Sequence, residues 1–410
     1  MNCRFFNDII IYAKPAGVPA VCKTQIKEKI MGEYSKFIDE KRRAVPTPES
    51  MVDENGICAF GTFDKEFKKM DLVKLKKPTS LPDCFNRLKL TLWEATEVHL
   101  KNGVLLAVVC DMGIFGKTLN VFYDKRTKKV YCWDTNLKSK DTVIAPNLIN
   151  GAVAEGKTPV SHVRYVNDFQ DGKCHLKGQH TGKCLITVPQ KDKTIVAAIK
   201  ENYGEATIEY DFTLTRLSKP CVASIPFGKN RPLYSQKDFF KAEGRLVING
   251  EEMLTDEDSA AIVDDHRGYY PRRAHYDWVT TMGKCNVDGE EKWLAFNLTR
   301  NQSVDQEKYN ENILWLEGKT SILPPITFTR NPESKDFKDY SEWIVKDEHD
   351  MVNLKFKVYN MNPMIMHALV VNIDYYVAYG ELEGYIRDED GKKYVLDGML
   401  GMGEDKTLLL

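Results

Sequence analysis

From about residue 52 onward, apolar and polar positions alternate in short runs broken by Gly, Asn, Asp and Pro. A repeat of two is the signature of a strand with one face inward. Residues 57–63 carry bulky side chains around Gly61 and read as a bent strand. Residues 85–100 and 104–110 flank Lys101-Asn102-Gly103, and Asn-Gly between two apolar runs predicts a hairpin. Residues 119–123 and 130–133 flank a charged turn and predict a second one. Short β-like pieces continue at 162–169, 174–177, 185–188 and 206–214, with one short helix predicted at 194–202.

Pro220 and Pro226 interrupt the pattern and mark a division near residue 220. Beyond it lie 232–240, then 244–250 ending in a turn, and one helical turn is predicted within 253–263. After Trp278 a strand runs to Met282, Asp288-Gly289 turns the chain, and 293–299 returns. A two-residue turn there sets Trp278 opposite Thr299 and Thr280 opposite Asn297, which places Asn297 on the Trp278 face; a slip of one residue would reverse it. Further strands are predicted at 313–316, 326–329, 352–359, 369–379 and 385–396. Strands at this spacing with few helices indicate an all-β chain of two sandwiches or barrels. The expected division is a helical leader over 1–50, an N-terminal β domain over 51–220 and a C-terminal β domain over 221–410. In the leader, Ile26, Ile30, Tyr34, Phe37 and Ile38 recur near helical spacing within 24–43. That helix either packs on the main body or makes a contact with another protein.

Composition narrows the functional classes. The 410 residues are 42% hydrophobic and 29% charged, as in ordinary globular proteins. With 58 basic against 59 acidic residues, the formal net charge is −1, which argues against a dedicated nucleic-acid binder. The N-terminus lacks a secretory pattern and no apolar run approaches a membrane span, so a cytoplasmic location without integral membrane association is expected. The 10 cysteines include no Cys-x-x-Cys pair, so the spacing typical of zinc or iron–sulfur sites is absent and reduced thiols are expected.

Chemistry concentrates in 264–278, Asp-Asp-His-Arg-Gly-Tyr-Tyr-Pro-Arg-Arg-Ala-His-Tyr-Asp-Trp. Gly268, free to take a positive φ, and Pro271 exclude a helix and predict a polar loop that becomes a strand near Arg272. In that strand Arg273, His275 and Asp277 share one face, and Arg272, Ala274, Tyr276 and Trp278 the other. Asp265 and His266, near Tyr269 and Tyr270, form the best acid–base pair, with Arg272 able to anchor a carboxylate or carbonyl. The bland alternative is a polar network that locks the loop. The acids with His266 and His275 match no established metal motif, so no metal site is expected. Neither a nucleophile elbow nor a dinucleotide or phosphate loop occurs, so no cofactor is expected either.

The stretch Asp265-His-Arg-Gly-Tyr-Tyr-Pro-Arg-Arg273 with Trp278 and 295–298 carries a family resemblance, joined by 232–237, 244–250 and 379–391. Over about 52–404 the chain resembles the family called domain of unknown function 2804. That family is distantly similar to lipocalin-like carotenoid hydratase proteins, which include plant-toxin hydratases and cyclases of fungal metabolites. The resemblance implies two tandem lipocalin-like β-barrel or sandwich domains and an apolar small-molecule pocket near their junction. Asp277 stands where an apolar or aromatic residue is expected.

The expectation is therefore a protein that holds a hydrophobic small molecule, lipid or isoprenoid-like, and acts on it as a cofactor-independent lyase or isomerase. Asp265, His266 and Tyr270 are the candidate catalytic groups. Tyr269, Arg272, His275, Tyr276, Trp278 and Asn297 are the candidate ligand contacts. The competing readings are a non-catalytic carrier and an interaction protein using helix 24–43.

Overall fold

The computed structural model describes residues 40–189, 202–331, 341–368 and 371–409. The helices expected at 24–43 and 194–202 lie outside these residues, except for their last positions. The described chain is all-β and forms two antiparallel sheets, of 14 and 10 strands.

In the first sheet eight strands hydrogen-bond in a closed ring. Their order is Pro232–Ile248, Ala260–Gly268, Thr91–His99, Gly103–Asp111, Phe115–Asp124, Val130–Lys138, Lys173–Thr187 and Asn202–Arg216, which returns to Pro232–Ile248. Alternate residues of these strands, among them Leu105, Phe122, Trp133, Tyr210 and Phe240, pack into one core. The opposite face is just as apolar. Val104, Leu106, Val108, Val121 and Tyr123 pack against Tyr375, Val377, Tyr379 and Met402 of the second sheet. Gly103–Asp111 is consequently buried at every position. That is why its sequence is a continuous apolar run and not an alternating one. The hairpin predicted around Asn102-Gly103 is present, and Gly103 is required there because a Cβ would lie 2.3 Å from the Phe122 ring.

The second sheet runs in the order Lys319–Ile322, Ile313–Leu316, Glu290–Arg300, Arg273–Val287, Leu400–Leu409, Val371–Arg387, Val352–Ala368, Glu342–Lys346 and Thr327–Arg330. Its own core includes Phe296, Leu314, Trp343, Phe356 and Leu382. The register predicted across Asp288-Gly289 is the one observed, with Trp278 opposite Thr299 and Thr280 opposite Asn297.

One expectation changes. The helical turn within 253–263 is replaced by strands Glu251–Met253 and Ala260–Gly268. The latter lies between two partner strands and is buried on both faces, so it shows none of the alternation that marks a half-buried strand. The change of sheet comes later in the chain than residue 220. Strands Cys221–Pro226, Pro232–Ile248 and Ala260–Gly268 still belong to the first sheet, and the chain crosses to the second between Gly268 and Arg273. The polar stretch 264–278 is thus the crossing itself, half in each sheet.

Candidate functional site

A cavity of about 470 Å³ lies between the two sheets. Strand register explains how each sheet presents its side chains there. In the first sheet Ser235, His266, Trp93, Cys110, Lys117 and Asn136 are directly opposite one another across six successive strands and therefore share a face. In the second sheet Met364, Tyr375, Lys406 and Tyr276 form an equivalent row. Trp278 and Glu404 form the next pair along it. Apolar wall comes from Trp93, Met112, Leu119, Trp278, Met364 and Ile373, and the polar end from Lys237, Asp264, His266, Tyr270 and Glu404.

The polar end is a buried charge network. Lys237 Nζ donates to Asp264 Oδ1 at 2.7 Å and lies 3.3 Å from Glu311 Oε2. His266 Nε2 sits 3.0 Å from Lys237 Nζ, 3.1 Å from Ser235 Oγ and 3.3 Å from both Glu311 Oε2 and Asp264 Oδ1. The Ser235 hydroxyl donates to Glu311. Burial opposes the charge on Lys237, but Asp264 and Glu311 outweigh it and hold the ammonium above its usual pKa. Burial likewise works against ionised Glu311, yet Lys237 and His266 hold it well below the usual carboxylate range. Glu404 differs. Burial pushes its pKa up to about 7, and it takes a hydrogen bond from the Tyr375 hydroxyl. Burial and charge therefore push the two carboxyl groups near one cavity in opposite directions, the arrangement on which acid–base pairs rest.

The candidate residues fall into three groups. His266, Tyr270, Tyr276 and Trp278 line the cavity. Asn297 stands behind it: its Oδ1 accepts from Trp278 Nε1 at 2.6 Å and its Nδ2 donates to the Glu311 carbonyl at 2.8 Å, so it positions two elements of the wall. Asp265, Tyr269, Arg272 and His275 are not part of the lining. Asp265 points to the opposite face of its strand, where Arg267 Nε and Nη2 donate to it at 2.7 and 2.9 Å. Glu94 lies opposite it on that face, bound by Asn167 Nδ2 at 2.7 Å. Burial pushes both carboxyls upward. Asp265 and His266 thus do not form a pair, because adjacent strand residues point apart. Tyr269 donates its hydroxyl to the Leu72 carbonyl at 2.9 Å. Arg272 is exposed in the crossing.

Asp277 and His275 face away from the cavity. The Asp277 carboxylate pairs with Arg330 and with His275 Nε2 at 3.1 Å, so its charge leaves the aromatic wall of Tyr276 and Trp278 intact. His275, Asp277 and Asp405 bring three ligand-type atoms within 4.8 Å of one another. Arg330, which also reaches Asp405 at 3.0 Å, already supplies a cation to both carboxylates.

Sequence reasoning missed Lys237, Glu311, Tyr375, Glu404 and Lys406. A faint signal existed: Ser235 and Lys237, and Glu404 and Lys406, are polar residues two apart in strands of otherwise buried pattern. Such spacing places each pair on one face, but not on which side of the sheet.

Fold and site together define a class: an all-β protein of two packed antiparallel sheets with a cavity of mixed apolar and titratable lining at their junction. The chain belongs to the family called domain of unknown function 2804, whose model matches residues 42–408. Among solved structures it is similar to kievitone hydratase from Nectria haematococca, with 12% identity, a TM-score of 0.43, and coverage of 78% of this chain and 88% of that one. It is also similar to CghA with Sch210972, with 7% identity, a TM-score of 0.41, and coverage of 89% and 98%. No curated protein matches the sequence. Among the described residues no helix is long and apolar enough to cross a membrane.

Proposed function

We propose that the protein binds an apolar small molecule in the cavity between the sheets and acts on it as a cofactor-independent hydro-lyase or isomerase. The observation that carries this reading is the meeting of an apolar wall and an acid–base set in one space: Trp93, Leu119 and Ile373 face the same cavity as His266 and Glu404. A volume of about 470 Å³ falls within the range of small-molecule sites, roughly 300–1,000 Å³.

The chemistry needs only protons and water. Glu404, protonated below about pH 7, gives a proton to one carbon of a double bond. Water attacks the other carbon and passes its proton to His266, so the balance is addition of one water. Loss of a neighbouring C–H proton to His266 in place of water attack gives isomerisation. Trp278 and Tyr276 lend π-faces to the cationic centre that develops. Asp264, Lys237 and Glu311 fix His266 and are positioning residues.

A second reading, a non-catalytic carrier, is favoured by the completeness of the Lys237–Asp264–Glu311 network, which satisfies itself without a ligand. Extraction of the purified protein with organic solvent and mass spectrometry of the extract separates the two. For an enzyme, the recovered compound incubated with the protein gains the mass of water or isomerises. His266→Gln should slow this by roughly 100-fold or more while retaining uptake. The rate should fall as pH rises through about 7, as Glu404 loses its proton, and Glu404→Gln should remove that limb. A compound returned unchanged identifies a carrier. Absence of any bound or absorbable apolar compound would sink both readings.

A further inference from the structure

Lys406 is the cavity's odd charge. It projects from Leu400–Leu409 between Tyr276 and Tyr375 of the flanking strands, and its ammonium lies 4.5 Å from the Tyr375 ring centre, 4.8 Å from that of Trp93 and 5.5 Å from that of Tyr276. Of the other cavity lysines, Lys237 takes Asp264 and Glu311, Lys117 takes Asp134 at 2.6 Å, and Lys183, which is exposed, lies over the Tyr203 ring at 4.3 Å. Lys406 has the three rings and, among the described residues, no ion pair. Glu404, the acid two residues away on the same face of its strand, engages Tyr375.

The charge balance of the lining points the same way. Lys117, Lys183, Lys237 and Lys406 face Asp134, Asp264 and Glu404, Glu311 adds a carboxylate behind Lys237, and Glu404 is mostly neutral below about pH 7. Below that pH the four lysines outnumber the three ionised carboxylates, and the cavity has an excess of positive charge. A cation inside a low-dielectric space without an anion is costly, and an anion brought by a ligand relieves that cost. Burial also presses the Lys406 pKa downward, with Glu404 only partly opposing it; an incoming anion would oppose that shift further.

We propose that Lys406, caged by Trp93, Tyr276 and Tyr375, is the anchor for an acidic head group, and that the ligand is an amphipathic carboxylic acid whose hydrocarbon part fills the apolar remainder of the cavity. The inference rests on ligand binding in this cavity and is independent of catalysis. It moves the anchoring role from Arg272, which is exposed in the crossing, to a residue inside.

The test is isothermal titration calorimetry of the full chain with dodecanoate and with 1-dodecanol, which share a tail and differ in the head group. Wild type should bind dodecanoate at least 10-fold more tightly, the equivalent of about 1.4 kcal/mol. Lys406→Met should abolish that preference by weakening dodecanoate and sparing 1-dodecanol, and Lys406→Arg should retain it. Binding of 1-dodecanol by Lys406→Met also shows that this variant is folded. Equal affinities in wild type, or a preference that survives in Lys406→Met, overturn the inference and leave the cavity reading standing. Failure of both compounds to bind wild type overturns the two together.

Discussion

Asp265 and His266 are neighbours in the chain and strangers in the fold. The strand Ala260–Gly268 sends His266 into the cavity and Asp265 to the opposite side, where it is fully buried with Arg267. Asp265 is therefore a structural group, and its substitution has a structural consequence. Asp265→Asn replaces the acceptor of a bidentate guanidinium pair by a neutral amide and leaves a buried positive charge uncompensated. Breaking a buried pair in this way costs about 3–5 kcal/mol. The urea midpoint of Asp265→Asn should fall accordingly; a midpoint equal to wild type would show that Arg267 finds another partner. An effect on ligand turnover alone, with unchanged stability, would instead return Asp265 to the site.

At the scale of elements, the feature that builds the site is the crossing from one sheet to the other. Gly268 ends the last strand of the first sheet, and Tyr270 enters the cavity two residues later. The sequence suggested that Gly268 serves a positive φ, but it is not among the positive-φ glycines. Its role is close approach: a Cβ would lie 2.3 Å from the Pro232 carbonyl oxygen and 2.9 Å from Leu233 Cα. Both neighbours are backbone in the paired strand, so neither can yield as a side-chain tip would. Gly268→Ala should destabilise by about 1–3 kcal/mol, the usual cost of overpacking, and should weaken uptake of an apolar probe by displacing Tyr270. Chemical denaturation and probe titration read the two effects. Unchanged stability would mean that the strand end slides without penalty.

At the scale of the molecule, the two sheets depend on each other. The contact between them is apolar, with Tyr123 and Tyr379 stacked 5.1 Å apart and within 2° of parallel. Buried Asn360 donates to the carbonyls of Lys128 and Thr187 across the junction at 2.7 and 2.9 Å. Arg42, at the start of the described chain, donates to the carbonyls of Asn312 and Leu323 in the second half at 3.1 and 2.8 Å. A chain ended after Gly268 would leave Leu106, Val108, Val121 and Tyr123 as one exposed apolar face. Such a patch drives association, so this fragment should elute as aggregate in size-exclusion chromatography. A monodisperse folded fragment would contradict the mutual dependence of the sheets.

Local features could be read from the chain alone. Asn102-Gly103 and Asp288-Gly289 set their hairpins because turn chemistry acts over a few residues, and from the second turn followed the pairing that puts Asn297 behind Trp278. Alternation revealed the half-buried strands, and the motif of 264–278 revealed the family. It failed where burial is two-sided: Ala260–Gly268 read as turn and loop because its polar residues fall on both buried faces, Asp264 and His266 on one and Asp265 and Arg267 on the other, and so show no alternation. The site arises from long-range packing. Lys237 meets Glu311, and Glu404 meets Tyr375, through pairings between strands far apart in the chain. Which face of each strand looks into the cavity was set by where the second sheet docks. A period of two says that neighbouring residues part company; it carries no information about which of them will face the ligand.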